Sequence, residues 1–134
     1  MERSIKVIIV DDSPMAIEGV KVLLEPYKNF NVIDVFCNGK EVIDSDNLVN
    51  ADLIIMDIEM PVLGGIETAK HINYMYPNIK LLALTMYQHK LYLKDIIGSG
   101  FNGFVNKGSM TEDLINVIFE VLSNKRSYPK DIKI

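Results

Sequence analysis

Cys37 is the only cysteine in the chain. No internal disulfide can form, and no cysteine-based metal site can be assembled. Long apolar runs are missing too. Stretches such as Val7–Val10 and Leu53–Met56 fall far short of the ~20 residues that a membrane-crossing helix needs. The opening Met1-Glu2-Arg3-Ser4 has none of the apolar core of a signal peptide. These absences predict a cytoplasmic protein with no membrane partner. A basic excess is likewise absent: net charge is −4 and the pI about 5.1, so the chain has no electrostatic footprint for nucleic acid. The pair Lys125–Arg126 reads more simply as cations at the negative end of a helix dipole.

What is present suits one globular domain. The 134 residues are 49% hydrophobic with a mean hydropathy of +0.15, and no low-complexity tract or composition shift divides them. Short apolar, β-branched runs at Ile5–Val10, Asn31–Phe36, Asp52–Met56, Lys80–Thr85 and Gly103–Asn106 read as strands buried on both faces. Helical patterns fill the intervals. Ser13 and Pro14 offer an N-cap and a first-turn proline; Ala16, Val20, Leu23 and Leu24 share a face, and Pro26 ends the helix. Further helices are expected near Lys40–Leu48, Gly65–Met75 and Gln88–Ile97. In the last helix, Ser109-Met110-Thr111-Glu112 has the form of a capping box, with Leu114, Ile118, Val121 and Leu122 as the buried stripe. Strict β/α alternation predicts an α/β fold: a parallel five-stranded sheet, doubly wound as a (βα)5 flavodoxin-like three-layer sandwich.

In such sheets, ligands bind beyond the carboxyl ends of the strands. Strand one runs into Asp11-Asp12, strand three into Asp57, strand four ends in Thr85, and strand five leads to Lys107. Taken singly, each has a plainer reading: helix-capping aspartates, a turn aspartate, an ordinary strand threonine, a solvated lysine. Their joint placement at one edge does not. Three carboxylates that close repel, by roughly 3 kcal/mol per pair at ~5 Å and an effective dielectric near 20. A hard divalent cation relieves this, and all-oxygen ligation favours Mg²⁺ or Mn²⁺ over zinc. A metal, a lysine, a hydroxyl and a spare carboxylate suit a phosphoryl group, with the carboxylate able to act as nucleophile.

The same residues carry a resemblance to the response regulator receiver family, from Ile5 to about Ser123. Its segments are Val10-Asp11-Asp12-Ser13, Met56-Asp57-Ile58-Glu59-Met60-Pro61 through Gly64-Gly65, Ala83-Leu84-Thr85, and Gly100-Phe-Asn-Gly103-Phe104-Val-Asn-Lys107. That resemblance implies a sheet order of 2-1-3-4-5 and a phosphorylation switch rather than an enzyme with turnover. It implies that Asp57 accepts a phosphoryl group from a sensor histidine kinase, catalysing its own transfer and slow hydrolysis. Asp12 and Asp57 would ligate Mg²⁺ directly, Asp11 through water, and Glu59 through its backbone carbonyl. Thr85 and Lys107 would hold phosphoryl oxygens. On phosphorylation Thr85 would move inward, Phe104 would fill the vacated space, and the surface of the fourth helix, fifth strand and fifth helix would be remodelled. Homodimerisation on phosphorylation is part of the same expectation.

The pattern has departures. Gly108 follows Lys107 where many receivers have proline, and Met86 follows Thr85 where many have a small residue, so Met86 is expected to crowd the phosphoryl group and slow its loss. Glu59 and Tyr87 flank the site and would tune the entry of water. His71 and His89 have no partner at metal-ligand spacing and read as helical surface residues, while Tyr74, Met75 and Tyr76 close a helix before Pro77. The tail Asn124-Lys-Arg-Ser-Tyr128-Pro129, the Leu84-Thr-Met-Tyr87 run and the Lys107-Gly108 step resemble the NarL/LuxR-type subfamily. The expectation is a receiver over residues 1–124, and a tail or linker start over 125–134. The favoured context is the N-terminal domain of a helix-turn-helix transcriptional regulator, touching DNA only through an output domain outside this sequence. The competing one is a single-domain receiver in a phosphorelay. A Mg²⁺-dependent phosphatase would need a second acid/base near Asp57, for which Glu59 is the nominee. A flavin binder is disfavoured by the acidic Asp-Asp-Ser-Pro loop and by the lack of a glycine-rich phosphate loop.

Overall fold

The structure is a computed structural model that describes residues 3–86 and 90–127, with the side chains of residues 90–92 also left aside. Tyr87, His89, the expected helix start at Gln88 and the Tyr128–Pro129 tail lie outside the described residues. Five strands, β1 (Ile5–Val10), β2 (Phe30–Phe36), β3 (Leu53–Met56), β4 (Lys80–Thr85) and β5 (Gly103–Asn106), form one parallel sheet in the order β2-β1-β3-β4-β5. The helices between them are α1 (Pro14–Leu24), α2 (Gly39–Ile43), α3 (Gly65–Met75), α4 (Lys90–Gly98) and α5 (Met110–Leu122).

The continuous apolar runs are explained by burial on both faces. Alternate residues of each inner strand point to opposite sides. Ile8, Val10, Ile54, Met56, Leu81, Ala83 and Phe104 pack with Ala69 and Ile72 of α3 and Ile96 of α4. Val7, Ile9, Leu53, Ile55, Leu82, Leu84 and Val105 pack with Val20 of α1 and Leu114, Ile118 and Val121 of α5. These two layers of apolar side chains hold the sheet's carboxyl ends in one line. Edge strand β2 is only half-buried along most of its length.

Several local expectations shift. The buried face of α1 is Ile17, Val20 and Leu24, one residue round from the anticipated stripe, because Ile17 rather than Ala16 offers the larger apolar surface to the sheet. Ser13 does cap α1, its Oγ accepting from Ala16 N at 3.2 Å. The second helix stops at Ile43 instead of reaching Leu48. Ser45 Oγ accepts from Asn47 N at 3.0 Å, and a 3-10 turn at Leu48–Asn50 follows, so polar side chains compete for the backbone there. No capping box forms at Ser109. Its hydroxyl donates to Asp113 Oδ2 at 3.2 Å, while Asn106 Oδ1 accepts from Gly108 N at 2.7 Å and starts a 3-10 turn at Lys107–Ser109 that runs into α5. Val117 joins the buried stripe of α5, and Leu122 is only half-buried.

Candidate functional site

Parallel register brings the acidic residues together. Val10 pairs with Met56, and Met56 with Ala83, so the next residues of β1 and β3, Asp11 and Asp57, emerge side by side. The chain leaves β1 toward β2 and leaves β3 toward β4, and the gap between these two strands is the topological switch point of the sheet. Backbone bonds continue past the strand ends: Asp11 N donates to Phe36 O at 3.0 Å, and Asp57 N to Val10 O at 2.9 Å. Thr85, the last residue of β4, pairs with Asn106, which places Lys107 beside it at the same edge.

Asp11 and Asp57 are buried, Asp12 is exposed, and one carboxylate oxygen from each lies within 4.8 Å of the others. Lys107 Nζ sits 2.9 Å from Asp11 Oδ2 and 3.3 Å from Asp57 Oδ2. The remaining oxygens take backbone donors: Asp11 Oδ1 from Ser13 N, and Asp57 Oδ1 from Ile58 N. Asp11 Oδ2 is buried, and its 2.9 Å contact with the Lys107 ammonium falls short of an aligned hydrogen bond. A buried anionic oxygen without an aligned donor, beside two further carboxylates, is what a hard divalent cation fits.

Titration reflects the crowding. The Asp57 carboxyl is raised above its ordinary value, first by burial and then by the charge of Asp11, with Lys107 and the Ile58 N–H pulling the other way. Burial alone would lower the Lys107 ammonium, but Asp11 and Asp57 together outweigh it and raise it. The lysine is therefore a firmly protonated cation that partly neutralises two carboxylates.

The structure brings Asp11, Asp12, Asp57 and Lys107 together and sets Thr85 at the same edge, whereas Phe104 lies three residues before Lys107 on β5, fully buried beside Ala83 in the α3/α4 layer. Thr85 is fully buried and Met86 is 64% exposed. The Glu59 side chain is exposed, as is His71. Two features had no counterpart in the sequence reading. The backbone N–H groups of Ser13 and Ile58 carry no side-chain signature at all. Gly65 begins α3 so close to the backbone of Asp57 that a Cβ there would collide with the Asp57 carbonyl oxygen. The Gly64-Gly65 pair was the signal for it, read only as a family motif. Gly65 N also donates to Ile58 O at 2.8 Å, tying the loop after β3 back to its own start. Within that loop Val62 is held at φ 69°, a left-handed conformation that β-branched residues rarely adopt.

Residues 7–119 match the family described as response regulator receiver domain. The chain is a member of that family. Receivers are signalling switches rather than enzymes with turnover, they bind Mg²⁺ at an acidic pocket, and histidine kinases are their partners. Among relatives of this receiver, the transcriptional regulatory protein LnrK of Bacillus subtilis is 29% identical over 128 residues, 96% of this chain and 58% of that protein. The response regulator UvrY of Escherichia coli is 26% identical over 96% of this chain and 59% of its own length. The receiver thus spans a little over half the length of these curated relatives. Among solved structures, a LuxR-family response regulator from Aurantimonas superposes with a TM-score of 0.89 at 27% identity, covering 96% of this chain and 92% of that one. The isolated receiver domain of RcsB from Salmonella enterica, with the phosphomimetic BeF3-, superposes at 0.86 and 27% identity, covering 96% and 95%. These relatives support placement with the NarL/LuxR-type receivers. Among the described residues no helix is long and apolar enough to cross a membrane.

Proposed function

We propose that this receiver is phosphorylated on Asp57 by a histidine kinase and works as the switch of a helix-turn-helix transcriptional regulator. One observation carries the reading: Asp57 is a buried carboxylate grouped with Asp11 and Asp12 and paired with Lys107. Asp12 and Asp57 would hold Mg²⁺ directly, Asp11 through water, and Glu59 through its backbone carbonyl, with Mn²⁺ as a substitute. When bound, the ion neutralises the charge that builds on the phosphoryl oxygens.

The protein's own groups do the rest. A carboxylate oxygen of Asp57 attacks phosphorus as the P–N bond of a phosphohistidine breaks and the imidazole leaves. Lys107 meets one phosphoryl oxygen and the Thr85 hydroxyl another, replacing water with fixed donors. The aspartyl phosphate is later hydrolysed slowly at the same site. Thr85 drawn inward changes the space available to Phe104, and the phosphoryl group acts by favouring one of two pre-existing arrangements. Output would follow through a surface formed by α4, β5 and α5, through pairing of two copies, and through DNA contacts made by a separate output domain. A cytoplasmic location suits that role.

Intact mass after incubation with acetyl phosphate tests the reading. One added phosphoryl group that requires both Mg²⁺ and Asp57, and is absent in Asp57→Asn, supports it. No adduct on a folded parent overturns it.

A further inference from the structure

An edge strand presents a row of unpaired N–H and C=O groups, and proteins commonly cover such edges. β5 is an edge of this sheet, yet it is not bare. The chain beyond α5 returns to it. Ser123 ends the helix, and Asn124 turns the backbone at φ 65°. Asn124 N donates to Val121 O at 3.1 Å and Lys125 N to Glu120 O at 3.0 Å. Those two bonds make a Schellman motif with asparagine in the position glycine usually takes. They reverse the chain so that it runs along β5.

Ser127 then pairs with Gly103 in parallel. Ser127 N donates to Asn102 O, and Phe104 N donates to Ser127 O, both at 3.0 Å. The Arg126 guanidinium donates to Phe101 O at 3.1 Å, and Ser127 is buried. Gly103 has to be glycine for this approach. A Cβ there would lie 2.7 Å from Val121 Cγ2, 2.9 Å from Ser127 O and 3.0 Å from Val117 Cγ1. Sequence and structure therefore agree on a place reserved for the returning chain.

The residues it grips are not neutral ones. Phe104 is the buried aromatic of the proposed switch. Lys107, the first residue after the strand ends, carries the cation of the acidic site. We propose that Lys125–Ser127 is a strand-pairing latch on the β5 edge, which reports the state of the acidic site to the chain that follows Ser127. The inference rests on phosphorylation of Asp57 as the input. A phosphoryl group anchors Lys107 more strongly than the two carboxylates alone, and β5 is too short to move at one end without the other. Binding coupled in one direction is coupled equally in the other. The domain therefore continues structurally to Ser127.

Hydrogen exchange read by mass spectrometry on the full chain decides this, with intact mass recorded in parallel. Peptides covering 101–106 and 123–127 are followed with Mg²⁺ alone and with Mg²⁺ plus acetyl phosphate. Exchange is expected to slow at least about threefold in both peptides together when one phosphoryl group is added. In Ser127→Pro, which removes the donor to Asn102 O, and in Arg126→Ala, peptide 101–106 is expected to exchange at least about threefold faster than in the parent. Circular dichroism verifies that each variant retains the parent fold. An adduct with no change in 123–127 overturns the coupling, and parent-like exchange at 101–106 in both variants overturns the latch itself. Absence of any adduct on the parent sinks the phosphorylation reading and the coupling with it, while the two variants still decide whether the latch holds β5.

Discussion

Replacing Asp57 by asparagine should stabilise this receiver when no metal is present and weaken it relative to the parent when Mg²⁺ is abundant. The reasoning starts from the charges. Carboxylate oxygens within 4.8 Å repel by about 3.5 kcal/mol at an effective dielectric near 20. Asp57 feels that from buried Asp11 and a solvent-screened share of it from exposed Asp12. Lys107 at 3.3 Å returns about 5 kcal/mol on the same scale. Charge thus comes close to balance, and burial, which penalises only the ionised form, tips it against the carboxylate. Asparagine keeps the shape and removes the charge, so the expected gain is on the order of 1 kcal/mol, or about 4 °C in Tm for a chain of this size.

The pH dependence has a definite sign. Asp57 titrates above its ordinary value of 3.8 in the folded protein. Below that ordinary value both folded and unfolded forms are protonated, and the variant gains nothing. As pH rises through the raised folded value the parent loses stability relative to the variant, and the gain is complete above it. Mg²⁺ reverses the order. At a hundredfold excess over its Kd it adds about 2.7 kcal/mol to the parent, and less to a variant with one carboxylate fewer. Melting by circular dichroism in EDTA and in Mg²⁺, from pH 4 to 8, gives both comparisons. The reasoning fails if Asp57→Asn melts below the parent in EDTA at pH 7, or if Mg²⁺ raises both proteins equally.

Gly65→Ala should cost about 2 kcal/mol by forcing α3 away from the Asp57 carbonyl, and should slow phosphoryl acceptance; denaturation and intact mass would show both, and a parent-like midpoint would refute the contact. Val62→Asn should raise Tm by about 4 °C, since asparagine tolerates the left-handed backbone at roughly 1 kcal/mol less, and an unchanged or lower Tm would refute the strain. Met86→Ala should shorten the life of the aspartyl phosphate if the exposed methionine beside Thr85 shields it from water, which the decay of the phosphorylated mass measures; unchanged decay removes Met86 from the argument.

The five strands and the edge on which the chemistry gathers were legible before any coordinates. Apolar runs that end in Asp11-Asp12, Asp57, Thr85 and Lys107 say which strand ends bring polar side chains to one edge, because strands buried on both faces cannot hide their polar limits. Local boundaries were read less well where side chains compete with the backbone. Ser45 and Asn47 cut α2 short, and Asn106 took over the cap assigned to Ser109. Such contests are settled by small differences between alternative hydrogen bonds, and those differences depend on neighbours that a linear pattern does not show.

By itself, then, the order of residues determined the alternation of strand and helix, the apolar layers and the identity of the acidic cluster. Those properties follow from hydrophobic periodicity and residue chemistry, which are local. Tertiary structure decided the rest: that Asp11 Oδ2 is buried with a charge but no aligned donor, that Lys107 spans Asp11 and Asp57, that Gly65 lies against Asp57, and that Ser127 closes the edge of β5. Each of these is a distance between residues remote in the chain. Register and burial set such distances, and both arise only when the whole sheet is packed.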